Sequence, residues 1–195
     1  LTLFNETFFF ISLGNLRKDY VSERFVIVNQ SESQKTKTKK NPYKAGNETM
    51  TNPSVLSLVQ KDGMLQRLQD DEGDCVKDWS VRVFPATDPS VTIDADNSYT
   101  DHPLYSEPAY GYHYIISASP DEKETLSTLS VEQWGYVLSV VQDRLRWMYT
   151  QKGVAYVAIY GNHGKEARNK VEHPHLHMMS FSIIPPKIEE EANFS

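Results

Sequence analysis

Alternation of apolar and polar residues marks the strands first. Trp79-Ser80-Val81-Arg82-Val83-Phe84 alternates cleanly and is stopped by Pro85, which cannot donate to a strand ladder. Arg24–Val28 is a β-branched run following the charged Arg17-Lys18-Asp19, and Tyr112–Ser117 is another strand candidate. Val154–Tyr160 is apolar at almost every position and predicts a buried strand entering a Gly161-Asn162-His163-Gly164 turn. A final strand runs from about His175 to Ile184 and stops at Pro185-Pro186.

The period changes to 3.6 after Ser130. Trp134, Val137, Leu138, Val141, Leu145 and Met148 fall on one helical face, and Gly153 is placed to end the helix. Ser130 and Gln133 have capping-box spacing, which predicts that Gln133 reaches back to the amide of Ser130. The intervening stretches read as surface. A polar loop covers about 29–50, in which Ser31–Lys40 carries four lysines and no apolar residue. Gly63–Asp78 is polar and reads as a loop, within which Met64–Leu68 has the spacing to form a helical turn. Asp88–Pro108, with three prolines and many acids, is a long excursion, and 187–195 is an acidic, solvated tail around Glu189-Glu190-Glu191. Strands with short links around one long amphipathic helix predict an α+β fold, a mostly antiparallel sheet with long surface loops, in one domain over 1–195.

Composition narrows the class. At 195 residues and 39% hydrophobic, the chain can bury a core without staples, and the lone Cys75 excludes an intrachain disulfide or a Cys-rich zinc module. A net charge of −6 argues against a nucleic-acid coat. The longest apolar stretch, Phe8-Phe9-Phe10-Ile11, is far below the roughly 20 residues a membrane span needs. With no basic n-region ahead of it, the sequence reads as a soluble, cytoplasmic protein.

Three of the six histidines lie in His173-Pro174-His175-Leu176-His177. On a strand, alternate residues share a face, so three imidazoles would stand in a row roughly 6–7 Å apart. Pro174 cannot donate a ladder hydrogen bond, which puts His173 at the strand entrance or on an edge. Met178, Met179, Phe181, Ile183 and Ile184 already supply apolar packing nearby. Two chemistries stay open: metal ligation by neutral imidazoles, or nucleophilic and acid–base work near neutral pH.

The His-Pro-His-x-His run, followed by apolar residues, resembles the histidine-triad (HIT) superfamily, and its surroundings resemble the N-terminal half of galactose-1-phosphate uridylyltransferases. Leu16–Val28 is similar to the family's Arg-x-Asp…Trp-Val-Ile-Val opening, and Asn41-Pro42-Tyr43-Lys44-Ala45-Gly46-Asn47-Glu48 to its Cys-Pro-Phe-Cys-Pro-Gly-Asn-Glu. Val81–Pro85 resembles the strand entering its nucleotide-binding turn, with Phe84 the candidate there. Gly111–Ile116 with Ser119-Pro120-Asp121 is similar to its Gly-x-His-Glu-Val-Ile…Ser-Pro-Asp segment. Asn162-x-Gly164, eleven residues before His173, keeps its Asn-x-Gly…His-Pro-His spacing.

The resemblance implies a HIT-like fold and a two-step reaction through a nucleotidyl-histidine. His175 would be the nucleophile, with its second nitrogen donating to the carbonyl of His173. Asn162, Gly164 and neighbouring amides would hold the phosphate, His177 would meet the leaving or attacking oxygen, and His113 would support the site from a neighbouring strand. The substrate would be a nucleoside diphosphate sugar or a dinucleotide.

The departures matter as much. Uridylyltransferases usually carry Gln where this chain has His177, whereas triad hydrolases carry His. The substitution therefore tilts the reading toward a hydrolase or phosphorylase with His177 as proton relay. The family's zinc ligands would fall at Asn41, Lys44, Glu122 and His173, a set without thiolates, so no metal cofactor is expected. Lys170 and Arg168 replace a phosphate-loop serine and glycine and are candidate phosphate cations; Asp88 is a candidate ribose acceptor beside Ala86. The family's second half does not follow, which predicts a homodimer. A non-catalytic nucleotide-binding module and a metal-dependent enzyme remain the competing readings.

Overall fold

The computed structural model describes residues 14–22, 24–28, 40–95, 104–164, 166, 167 and 169–194. The Phe8–Ile11 run, most of the lysine-rich loop and Arg168 lie outside these. The described elements are β1 (Asn15–Asp19), β2 (Arg24–Val28), β3 (Leu56–Lys61), β4 (Met64–Leu68), β5 (Trp79–Pro85), β6 (Ser106–Pro108), β7 (His113–Ser117), α1 (Val131–Tyr149), β8 (Tyr156–Tyr160), β9 (His175–Phe181) and α2 (Pro186–Asn193). A six-stranded sheet has the order β4-β3-β5-β7-β9-β8, and a three-stranded sheet the order β2-β1-β6. Every strand pairing is antiparallel, so the α+β reading holds. Among the described residues no helix is long and apolar enough to cross a membrane.

The period-2 rule divides the central strands into two faces. Val81 and Val83 of β5, Tyr114 and Ile116 of β7, and Met178 of β9 share one core with Val137, Val140 and Met148 of α1. Those three helical side chains are fully buried, each worth about 1.5–3 kcal/mol of transfer free energy. The opposite face carries Arg82, Phe84, His113, Ile115, Ser117, His175 and His177. It is buried too, but largely through polar groups.

Several expectations need correction. The helix stripe includes Val140, while Leu138 is 58% exposed, because it lies about 100° round the helix from Val137 on the side away from Val140. Ser130 does accept from the Gln133 amide at 3.0 Å, but the Gln133 side chain does not return to its cap. It donates instead to Ser80 O (2.8 Å) and Ala118 O (2.6 Å), fastening the helix start to two strand ends. The helix ends at Tyr149; Gly153, at φ 82, serves the following turn beneath the Tyr110 ring.

Met64–Leu68 is not a helical turn but β4, paired with β3 through a two-residue Asp62-Gly63 hairpin in which both φ values are positive. Among the described residues the strand at 156–160 is an edge, with Val157 its one buried residue. The acidic tail forms α2, begun by Pro186 in its first turn, where the missing N–H costs nothing. The described part of the long excursion contains β6 and a bridge from Thr92 to Tyr110. Residues 40–50 form a loop that Glu48 fastens to the sheet: it is 3% exposed, binding Trp79 Nε1 and Lys77 at 3.0 Å and the Gly46 amide at 2.9 Å. Burial opposes its ionisation, yet those donors outweigh burial and lower its pKa to about 2. That anchor pins the loop carrying Asn41 and Tyr43 against the sheet.

Candidate active site

The polar face is organised by strand register. Phe84 lies opposite Ile115, Ile115 opposite His177, and His177 opposite Tyr160. One pleat along, Arg82 lies opposite Ser117 and Ser117 opposite His175. His113, two residues before Ile115 on β7, is thereby a diagonal neighbour of His177. Close approach of the chain entering β7 to β9 sets this register, since a Cβ on Gly111 would collide with the carbonyl oxygen of Ser180.

His175 and His177 occupy the same face, with ring centroids 5.1 Å apart at 65°. His175 Nδ1 lies 2.7 Å from the carbonyl oxygen of His173. A carbonyl only accepts, so the proton sits on Nδ1 and the lone pair on Nε2. Burial lowers the His175 pKa, while the hydrogen bond to His173 pulls it the other way; the net direction is down, favouring the neutral ring. The Tyr43 ring stands edge-on to it at 5.1 Å. His177 stacks on Tyr160 at 5.0 Å and 10°, and its Nδ1 lies 3.1 Å from His113 Nε2.

His173 is not the third member of a row. It precedes β9, and its buried ring points into the loop layer, with Nε2 at 2.8 Å from both the Ser119 carbonyl oxygen and Ser117 Oγ. Leaving the pleat at Pro174 removes it from the alternation that aligns the other two. Its carbonyl, not its imidazole, reaches the pair.

An open cleft of about 250 Å³ lies over His175, His177 and His113. Its walls include Tyr43, Asp88, Ser90, Tyr160, Asn162 and Lys170. Lys170 and Asp88 are both exposed and pair at 3.4 Å at its mouth. Phe84 and Gly164 do not line it. Phe84 packs beneath, against Ala86, Ile115 and Tyr43, and Gly164 sits in the turn after β8 with φ 78. Sequence reasoning missed Tyr43, Tyr160 and the Ser90 amide as parts of this site. The position of Tyr160 follows from register with His177, and no sequence signal marks a backbone amide.

The four positions at which the resemblance implies zinc form two pairs. Asn41 Nδ2 donates to His173 Nδ1 at 3.1 Å, and Lys44 Nζ pairs with Glu122 Oε1 at 3.0 Å. An ammonium offers no lone pair, and the Nδ1 lone pair of His173 is already taken. This donor set does not fit zinc. Among the described residues no three His, Cys, Asp or Glu side chains are grouped to hold a metal ion.

Comparison with known proteins gives the family. The model of the galactose-1-phosphate uridyl transferase N-terminal domain matches residues 17–185. The chain belongs to that family. A galactose-1-phosphate uridylyltransferase of Thermotoga maritima is 26% identical over 87 residues, covering 45% of this chain and 27% of that protein. A solved uridylyltransferase structure superposes with a TM-score of 0.69 at 19% identity, over 92% of this chain and 49% of its own. An ADP-glucose phosphorylase from Arabidopsis thaliana with bound ADP-glucose gives 0.60 at 20%, over 89% and 50%. At those identities the structures speak for the fold. The chain spans about half the length of the solved structures it matches.

Proposed function

We propose that this uridylyltransferase-family chain is a nucleotidyltransferase in which His175 becomes nucleotidylated. The observation that carries the reading is the 2.7 Å contact from His175 Nδ1 to the His173 carbonyl, which leaves the Nε2 lone pair for the cleft. Nε2 attacks the α-phosphorus of a nucleoside diphosphate sugar. The bond from that phosphorus to the bridging oxygen breaks, and the sugar phosphate leaves with the electron pair. The Nδ1 proton stays on the ring, and the positive charge of the substituted imidazole is stabilised by the His173 carbonyl. In the second step an oxygen of the acceptor phosphate attacks, and the phosphorus–nitrogen bond returns its electrons to Nε2. Asn162 and Lys170, on the segment that lines the cleft beside His175, are suited to the equatorial phosphate oxygens that carry transition-state charge.

The test is covalent labelling. α-Phosphorus-labelled UDP-glucose and ADP-glucose are mixed with wild type and with His175→Ala. Acid-labile label on wild type alone is the expected result, with turnover of the variant down by about 10⁴-fold or more. Turnover without any nucleotidyl-protein would overturn the mechanism. Inorganic phosphate as acceptor is the second reading, since one structural neighbour is described as a phosphorylase. Pairing of two copies is part of the proposal, because β8 has no strand on its outer side among the described residues. Light scattering should return twice the monomer mass at micromolar concentration, and a monomer would refute pairing.

A further inference from the structure

The backbone amide of Ser90 donates to His113 Nδ1 at 3.1 Å. A backbone N–H can only donate, so His113 Nδ1 holds a lone pair and its proton must sit on Nε2. That Nε2 lies 3.1 Å from His177 Nδ1. The His113 proton therefore points at His177 Nδ1, which must accept, and the one proton of a neutral His177 is forced onto its own Nε2. That nitrogen has no hydrogen-bond partner among the described residues, and His177 lines the cleft. The stacked Tyr160 ring fixes the plane of the imidazole, and the His113 contact fixes which edge faces inward. We propose that His113, oriented by the Ser90 amide, is a positioning residue that locks His177 as the Nε2–H tautomer, making His177 a fixed neutral donor to the reacting phosphoryl group.

Two adjacent imidazoles are thus held in opposite tautomers. His175 has its lone pair on Nε2 because a carbonyl takes its Nδ1 proton; His177 has its proton on Nε2 because a second histidine fills its Nδ1. The pair offers one nucleophile and one donor. Burial, then the neighbouring His177, lowers the His113 pKa to about 4; burial, then His175 and Lys170, does the same for His177. Both rings are therefore neutral at pH 7. A relay through His177 would need its Nδ1 to release or take a proton, and His113 cannot supply a second site while the Ser90 amide occupies its own Nδ1. On this proposal His177 is a fixed donor in place of the proton relay favouring water. A fixed donor does what a glutamine amide does, which favours transfer to a phosphate acceptor over hydrolysis.

The tautomer assignment stands on hydrogen bonds alone, whereas the donor role rests on the nucleotidyl-histidine reading above. The two are tested separately on the full chain. Long-range ¹H–¹⁵N correlation spectra of ¹⁵N-histidine protein at pH 7 should show His113 and His177 protonated only on Nε2 and His175 only on Nδ1. His177 protonated on Nδ1, or doubly protonated, overturns the lock. In His113→Phe the two His177 nitrogen shifts should move together as tautomers mix; unchanged shifts would remove His113 from the role. For the donor role, His177→Gln should keep the labelling rate within about tenfold, while His177→Phe should lose about 10²–10³-fold, the usual cost of one missing transition-state donor. Equal loss in both variants would mean that a titrating imidazole is required, overturning the neutral donor. A wild type that takes up no label overturns the nucleotidyl reading and the donor role together, while the spectra decide the lock independently.

Discussion

The two faces of β5, β7 and β9 are both buried and are built on different rules. Toward α1 the contacts are Val81, Val83, Ile116, Met178, Val137 and Met148, side chains whose attraction has no direction. Toward the cleft they are Arg82, Ser117, His113, His175 and His177, each in a specified donor or acceptor role. Apolar packing tolerates substitutions that keep volume. The polar face tolerates few, because each replaced group strands a buried partner. One sheet thus carries a forgiving face that supplies stability and an exacting face that supplies aim.

Acid should separate the faces most sharply. His113, His173 and His177 each have pKa lowered to about 4 from the ordinary 6.5, with burial the first cause in all three. A base depressed in the fold binds its proton more readily when unfolded. Stability from these three is therefore fully present above pH 6.5 and falls as pH drops toward 4, at up to about 1.4 kcal/mol per pH unit for each. Below pH 4 the carboxylates Asp70 and Glu48, both lowered to about 2, begin to lose their share. Chemical denaturation from pH 7.5 to 4 should show a steady decline, and a flat profile would contradict it. The α1 face has no part in that titration.

Single substitutions rank next. Arg82 and Asp70 pair at 2.8 Å with side chains 2% and 1% exposed, and Ser54 and Val76 amides also bind the carboxylate. Asp70→Asn leaves the guanidinium buried without its counter-charge and should cost about 3–5 kcal/mol in urea unfolding. Met148→Ala on the apolar face should cost about 2–5 kcal/mol. The discriminating variants are the shape-conserving ones. Met148→Leu should lose less than about 1.5 kcal/mol, whereas Asp70→Asn, equally conservative in shape, should not fall below 3. Comparable small losses in both would erase the distinction between the faces.

This asymmetry also decides what the sequence could reveal. The apolar face was readable as period: α1 was found through its 3.6 repeat and β5 through alternation. The edge β8 was found but judged buried, because composition does not say which strand lies outermost. β4 is not evident as a strand because Met64-Leu65-Gln66-Arg67-Leu68 sits in a polar stretch and has apolar spacing compatible with a loop, a helical turn or a strand. On the polar face, the motif disclosed His175 and His177, and the register to His113 followed only from folding. His173 was misplaced for a related reason, since the row argument assumes a strand that Pro174 interrupts. The Ser90 amide has no side-chain signature at all. Directional contacts between distant segments are what a linear pattern conveys least.

The smallest expected effect lies at the positions where the resemblance implies zinc. Lys44 and Glu122 pair at 3.0 Å with side chains 38% and 43% exposed, whereas the Asn41–His173 hydrogen bond is part-buried. Exposed pairs of this kind are screened by water and salt and contribute about 0.2–1 kcal/mol. Lys44→Met should therefore lower stability by no more than that, and 0.5 M salt should abolish the difference between variant and wild type. Asn41→Ala should cost more, about 1–3 kcal/mol, because it leaves the buried His173 Nδ1 without its donor. A zinc-bearing clasp would behave otherwise: chelation would unfold the 40–50 loop, and metal analysis would return one zinc per chain. With the pairs seen here, thermal unfolding should be the same with and without chelator, and the metal content well below one. If chelator instead lowers the unfolding temperature by several degrees, the two pairs are not what holds the loop, and the polar face owes part of its aim to a metal.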